Sequence, residues 1–158
     1  MTYGFRAVVQ SDEQLFRRWL AAPHVREWWD DGPEITEEWL ADERVARWIV
    51  DYHGKPFAYM QDYDPHGWDN HPFAHLPMGA RGIDQYIGEA AMLGIGHGTG
   101  FIAQRVAALF SAGAPVVCVD PHPENSRAIA VYQKVGFKVK GPTRDTQWGR
   151  ILPMELWP

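Results

Sequence analysis

The apolar positions of this chain change period several times, and each change marks an element. Residues 5–9 read as a first strand. Ser11-Asp12-Glu13-Gln14 has the spacing of a capping box, and Leu15, Phe16, Trp19 and Leu20 follow at helical intervals. A second helical pattern covers residues 35–45, with its acids early, as a helix dipole prefers. Residues 48–52 and 57–60 predict two strands, joined by the turn signal His53-Gly54-Lys55-Pro56. Residues 64–81 then lose all periodicity. They carry Pro65, Gly67, Pro72, Pro77 and Gly79, with His66, Trp68, His71, Phe73 and His75 between them. So long a loop in a compact domain is functional or disordered, and its aromatic content favours a packed binding loop.

Residues 82–87 predict a strand, and a glycine-rich turn leads from it into a helix over 99–111. Residues 115–119 are a short apolar run, the mark of a strand buried on both faces. Residues 125–135 predict a helix stopped by Gly136, and strands at 137–139 and 151–156 finish the chain. The order predicts an α+β fold, a mixed sheet with helices on its faces, in a single domain spanning residues 1–158.

Composition narrows the class. A chain of 158 residues and 18.0 kDa fits one domain. No run reaches the roughly 20 apolar residues of a membrane span. The first residues lack the basic-then-apolar order of a signal peptide, so the expectation is a cytoplasmic protein without a membrane partner. Cys118 is the single cysteine, which fits a reducing compartment and excludes an intrachain disulfide. It sits inside the apolar run, where a buried, inert thiol is expected rather than a nucleophile. A net charge of −5 argues against nucleic acid as a partner. The charge is uneven: residues 1–89 hold 16 acids and 8 bases, and residues 90–158 hold 4 acids and 7 bases.

Gly94-Ile95-Gly96-His97-Gly98-Thr99-Gly100 places a glycine at every second position before a helix. Such a turn brings backbone N–H groups close to a ligand, and a helix N-terminus favours an anion. The dinucleotide spacing fails, since the last position would be Thr99 or Phe101, and no P-loop lysine is present. Further on, Asn125 and Tyr132 are seven residues apart, on nearly one helix face. An amide and a phenol so placed suit an extended ligand running alongside. The spacing of His66, His71 and His75 in a proline-broken loop fits no known zinc pattern, so no metal is expected.

The Gly96-His97-Gly98 turn and Asn125-x-x-Ala128-Ile129-x-x-Tyr132-x-x-x-Gly136-Phe137 resemble the GCN5-related N-acetyltransferase (GNAT) superfamily. Glu27-Trp28-Trp29, Gln61-x-Tyr63, Arg81-Gly82-Ile83-Asp84-Gln85, Asp120-Pro121-x-Pro123 and Arg127-Ala128-Ile129 resemble its aminoglycoside 6'-N-acetyltransferase branch, which adjoins siderophore-biosynthesis acetyltransferases. The resemblance covers nearly the whole chain. It implies a mostly antiparallel central sheet flanked by about four helices, with splayed strands holding acetyl-CoA. It implies acetyl transfer to a primary amine of a cationic small molecule. A monomer or homodimer is expected. Alternative acceptors are a siderophore precursor or a protein amine, and a non-catalytic acyl-CoA-binding domain is the alternative outside catalysis.

The resemblance also assigns residues. Leu93, Gly94, Gly96, His97, Gly98 and Thr99 would form the pyrophosphate turn, with Leu93 where the family usually has Gln or Arg. Asn125 and Ala128 would lie along the pantetheine arm, which would pair with the edge of the strand ending at Ile87. Trp29, Gln61, Tyr63 and Trp68 would line the acceptor pocket, with Trp28 pointing the other way. Asp62, Asp64 and Asp69 would make that pocket acidic. The chemistry asks for a base, a donor to the oxyanion and an acid for the departing thiolate. Tyr132 is the candidate acid. Asp84 and Asp120 are the candidate carboxylates, Asp84 as base and Asp120 as substrate anchor.

Overall fold

A computed structural model describes residues 1–30, 32 and 34–158. In chain order the elements are β1 (Gly4–Ala7), α1 (Glu13–Ala21), α2 (Pro23–Arg26), α3 (Glu37–Ala41), β2 (Val45–Tyr52), β3 (Lys55–Tyr63), β4 (Arg81–Ile87), α4 (His97–Ser111), β5 (Val117–Val119), α5 (Ser126–Val135), β6 (Lys138–Val139), β7 (Arg144–Thr146), β8 (Gly149–Ile151) and β9 (Met154–Leu156). The main sheet runs β1-β2-β3-β4-β5-β9-β6, and β7 pairs only with β8. Every pairing is antiparallel except β4 with β5.

Alternation along the strands sends side chains to two covered faces. Ile49 and Val50 are neighbours in β2, and both are fully buried because each face has its own core. On one face Val50, Ile83 and Val117 pack against Phe101, Ile102 and Val106 of α4 and Tyr132 of α5. On the other, Ile49, Tyr59 and Tyr86 pack against Phe16 and Trp19 of α1 and Val25 of α2. The loop between β3 and β4 adds Phe73, Leu76 and Ala80, which seal Cys118 and Val116 from solvent. Its aromatic residues are packed, as expected. Cys118 is buried, and that burial pushes its thiol well up.

Three local differences have physical causes. Asp12, not Ser11, organises the entry to α1: its carboxylate accepts the Val9 N–H at 2.9 Å and pairs with Arg6 at 2.7 Å. The helical pattern over 35–45 yields only the five-residue α3, capped by the Thr36 hydroxyl accepting from the Trp39 N–H at 3.1 Å. Val45 belongs instead to β2, because its pairing with Tyr63 extends both strands beyond their apolar centres. The run 151–156 is divided. Ile151 closes a hairpin with Arg144, and the Leu152 N–H turns to the Pro121 carbonyl at 2.8 Å before β9 begins.

Candidate active site

The site begins where one pairing stops. Parallel β4 and β5 share register only at Arg81 with Val117 and Gly82 with Cys118. Beyond that the strands part. Asp84 and Asp120 each lie two residues past the last pair, so both face the same side at the mouth of the splay. Neither carboxylate forms an ion pair with a described Arg or Lys. Burial pushes Asp84 up, opposed by a hydrogen bond from Gln61. Burial and the neighbouring Asp84 charge push Asp120 well up. Two carboxylates that cannot both ionise easily share a high proton affinity.

β3 supplies the next side chains on that face. Gln61 is the register partner of Asp84, and its Nε2 donates to Asp84 Oδ2 at 2.9 Å. Tyr63 is the partner of Gly82, and its ring lies where a side chain at Gly82 would be: a Cβ there would come within 2.1 Å of Tyr63 Cζ. Glycine at 82 is therefore required for Tyr63 to lie across β4 beside the carboxylates. Trp68 and His71 pack on Tyr63, with ring centroids at 5.8 and 5.4 Å. Trp148, at the tip of the β7–β8 hairpin, lies 4.9 Å from His71. Trp29 meets Tyr86 edge-on at 4.9 Å. These groups line one cleft of about 880 Å³ that also reaches Asp120, Asn125, Ala128 and Tyr132.

Tyr132 enters from the opposite side. It is buried on α5, and Gln85 Nε2 donates to its hydroxyl. Burial and the charges of Asp84 and Asp120 push its phenol well up, so it keeps its proton and remains a donor. Gln85 Oε1 is buried and has no hydrogen-bond partner among the described residues. Asn125 caps α5 through Oδ1, which accepts the Ala128 N–H at 3.2 Å, and its amide NH2 has no side-chain or backbone acceptor among the described residues.

The glycine turn stands at the start of α4. Gly94 and Gly96 have φ of +73° and +95°, a conformation that disfavours any side chain. Gly100 N–H to Gly96 C=O, at 3.1 Å, opens the helical ladder, so the N–H groups of His97, Gly98 and Thr99 have no acceptor within the helix. A phosphate group fits this cradle. Only backbone serves at His97. Its ring turns into the core, with Nδ1 at 3.0 Å from the Tyr3 hydroxyl. The Leu93 N–H is taken by the Ala90 carbonyl at 3.2 Å, and His24 Nε2 lies 2.9 Å from the Ile87 carbonyl, which keeps a second lone pair.

Several expectations are corrected. Asp62 does not face the acceptor pocket: it is 1 % exposed on the α4 side of the sheet, bound by Arg81, Arg105 and Trp48. Asp64 caps the short turn at Pro65–Gly67, and neither it nor Asp69 lines the cleft. The acids that do are Glu27, Asp30, Asp42, Asp84, Asp120 and Glu124. Trp28 does not point away. It lines the same cleft as Trp29, its ring 5.6 Å from that of His122. Trp148 and Arg150 also line the cleft, and the sequence reading missed them. Their one local signal is Gly149, whose φ of +112° closes the hairpin.

Splayed parallel strands, a glycine-turn helix on one side and buried carboxylates on the other define an acyltransferase scaffold built around a coenzyme A thioester. The chain belongs to the GNAT acetyltransferases: the family model described as an acetyltransferase (GNAT) domain matches residues 8–144. It is 32% identical over 152 residues to an aminoglycoside N(6')-acetyltransferase type 1 of Klebsiella pneumoniae, covering 86% of this chain and 74% of that protein. It is 42% identical over 64 residues to a kanamycin resistance protein of Rhizobium radiobacter, covering 40% of this chain and 59% of that one. The solved structure of aminoglycoside acetyltransferase AAC(6')-Ib with coenzyme A and kanamycin superposes with a TM-score of 0.88 at 32% identity, over 99% of this chain and 95% of the other. The protein is an acetyl-CoA-dependent N-acetyltransferase.

Proposed function

We propose that the acceptor is the 6'-amino group of an aminoglycoside. The observation that carries this reading is the coupled pair Asp84 and Asp120 at the floor of a cleft with aromatic walls and an acidic rim. Glu27, Asp30 and Glu124 on that rim have no described Arg or Lys partner, which suits a ligand bearing several ammonium groups. Trp28, Trp29 and Trp148 line the cleft as aromatic surface suited to sugar rings and cations, while the Trp68 ring is covered by the Arg44 guanidinium at 4.5 Å. The relatives named above point to the same acceptor class.

Acetyl-CoA, when bound, supplies the activated acetyl group. The free N–H groups of His97, Gly98 and Thr99 would hold its pyrophosphate, and Asn125, Ala128 and the orphaned Gln85 Oε1 would hold its pantetheine amides. The amine arrives as an ammonium and must lose a proton. Asp84 attracts the cation, and its raised proton affinity lets it accept that proton. Asp120, pushed well up by burial and the Asp84 charge, anchors a neighbouring amine or hydroxyl. Tyr132, its oxygen already accepting from Gln85, directs its hydrogen toward the leaving sulfur. We place this reaction in the cytoplasm, in a monomer or homodimer. Among the described residues no helix is long and apolar enough to cross a membrane.

The test is acetylation of kanamycin, followed by thiol release, against a panel including a 6'-hydroxyl analogue, a siderophore-type diamine and an N-terminal peptide. Kanamycin turned over best and modified at the 6' nitrogen supports the reading. Preferred turnover of the diamine or the peptide overturns it.

A further inference from the structure

Asp84 is held from behind by a chain of side chains running across the sheet. Arg47 of β2 is the register partner of Gln61, and Gln61 that of Asp84. Tyr59, one step along the same face of β3, donates its hydroxyl proton to Gln61 Oε1 at 2.7 Å. Gln61 Nε2 then donates to Asp84 Oδ2 at 2.9 Å. The Arg47 guanidinium lies beside the Tyr59 phenol and is itself fixed by the Trp39 ring at 4.0 Å and the Trp39 carbonyl at 2.7 Å.

A carboxamide can face a carboxyl group in two ways. With NH2 outward it donates, which favours the ionised acid. With C=O outward it accepts, which requires the protonated acid. A glutamine free at its far end turns to suit either state. Gln61 is not free. The phenol beside a guanidinium presents its oxygen to the cation and its proton to Gln61. Gln61 Oε1 is therefore occupied at the far end, and Nε2 must face Asp84. Asp120 has no comparable side-chain donor among the described residues.

We propose that Tyr59 is a positioning residue, which locks the Gln61 amide in the one orientation that makes Asp84, rather than Asp120, the charged member of the pair. The other titratable groups felt at Asp84 are Tyr59 and Tyr63 of β3, Cys118 of β5, Asp120 just beyond it, and Tyr132 of α5. None of these is a cation, and Asp120 has only a backbone hydrogen bond favouring its ionised form, so the polarity of the amide biases ionisation toward Asp84. This rests on the reading of Asp84 as base given above, and it explains how one of two adjacent acids is selected.

The experiment compares Tyr59→Phe with the parent. The substitution retains the ring that packs on Phe16, Trp29 and Tyr86. Carbon-13 titration of the Asp84 carboxyl should show its midpoint rising by about 0.5–1 unit, with Gln61→Met shifting it at least as far. The acid limb of kcat/KM should move up by the same amount, which lowers kcat/KM about 3- to 10-fold at a pH below that limb. An unmoved Asp84 midpoint in Tyr59→Phe overturns the proposal. A moved midpoint with an unmoved rate profile leaves the relay standing and overturns Asp84 as base.

Discussion

Asp62 distinguishes a structural carboxylate from a substrate one. It is 1 % exposed and accepts from Trp48 Nε1 at 2.9 Å, Arg81 NH2 at 2.7 Å, and Arg105 Nε and NH2 at 2.9 and 2.7 Å. It thereby ties β2, β3, β4 and α4 together at the foot of the splay. Asp62→Ala would leave two guanidinium groups facing each other without their counter-ion. Breaking a fully buried pair costs about 3–5 kcal/mol. The side chains of Arg81 and Arg105 are 24% and 18% exposed, so water relieves part of that penalty. The expected loss is about 3 kcal/mol, which at roughly 2–4 °C per kcal/mol for a chain of this size lowers Tm by about 6–12 °C. Urea and thermal melts measure the loss, and steady-state kinetics at low temperature supply the contrast. Acceptor KM should change less than about twofold, because Asp62 does not line the cleft. A variant with parental Tm and a strongly raised acceptor KM would refute the assignment and return Asp62 to the substrate pocket.

Three other outcomes follow from the geometry. Gly82→Ala should destabilise the fold by about 1–3 kcal/mol, because its Cβ would strike the buried Tyr63 ring; it should also raise acceptor KM while calorimetry shows unchanged acetyl-CoA binding. Tyr132→Phe should lower kcat about 100-fold with acetyl-CoA affinity nearly intact, as stopped-flow and equilibrium binding will show; an unchanged kcat removes Tyr132 from its role as acid. His71 sits among Tyr63, Trp68, Phe73 and Trp148, and burial lowers its pKa to about 4. Its neutral form is therefore favoured in the fold. The stabilisation is present above pH ~6.5 and is lost as pH falls toward 4, where only the unfolded chain has gained the proton. His71→Phe should flatten that part of the pH–stability curve, measured by urea midpoints between those limits.

The local elements were legible because their causes are local. Asn125 through Val135 reads as a helix from its cap, its period and Gly136, and it is one in the fold. The glycine turn reads from its spacing as a close-approach turn before a helix, and Gly94 and Gly96 do hold the backbone there at positive φ. Tyr63 and Gln61 were legible only through resemblance, since β3 runs past the apolar stretch that predicts it and is lengthened by pairing with β2 and β4. The long-loop aromatics were identified, but their partners were not. His71 packs on Trp148 from a hairpin more than seventy residues away, and no periodicity connects them.

Charge shows the same boundary. The count of 16 acids in residues 1–89 is a property of the chain, but which face each acid takes is not. Asp62 and Gln61 are neighbours in β3, so the alternation of a strand sends them to opposite sides. One is paired with two arginines, and the other reaches Asp84. The chain by itself determined most of the element order, though not α2 or the β7–β8 hairpin, and the glycine-rich entry to α4. Tertiary structure alone decided that Asp84 and Asp120 meet. Their 36 positions of separation are closed by a two-pair parallel register that ends two residues before each of them, where the strands splay. The raised proton affinity of both arises only there, from burial and, at Asp120, from the Asp84 charge brought beside it.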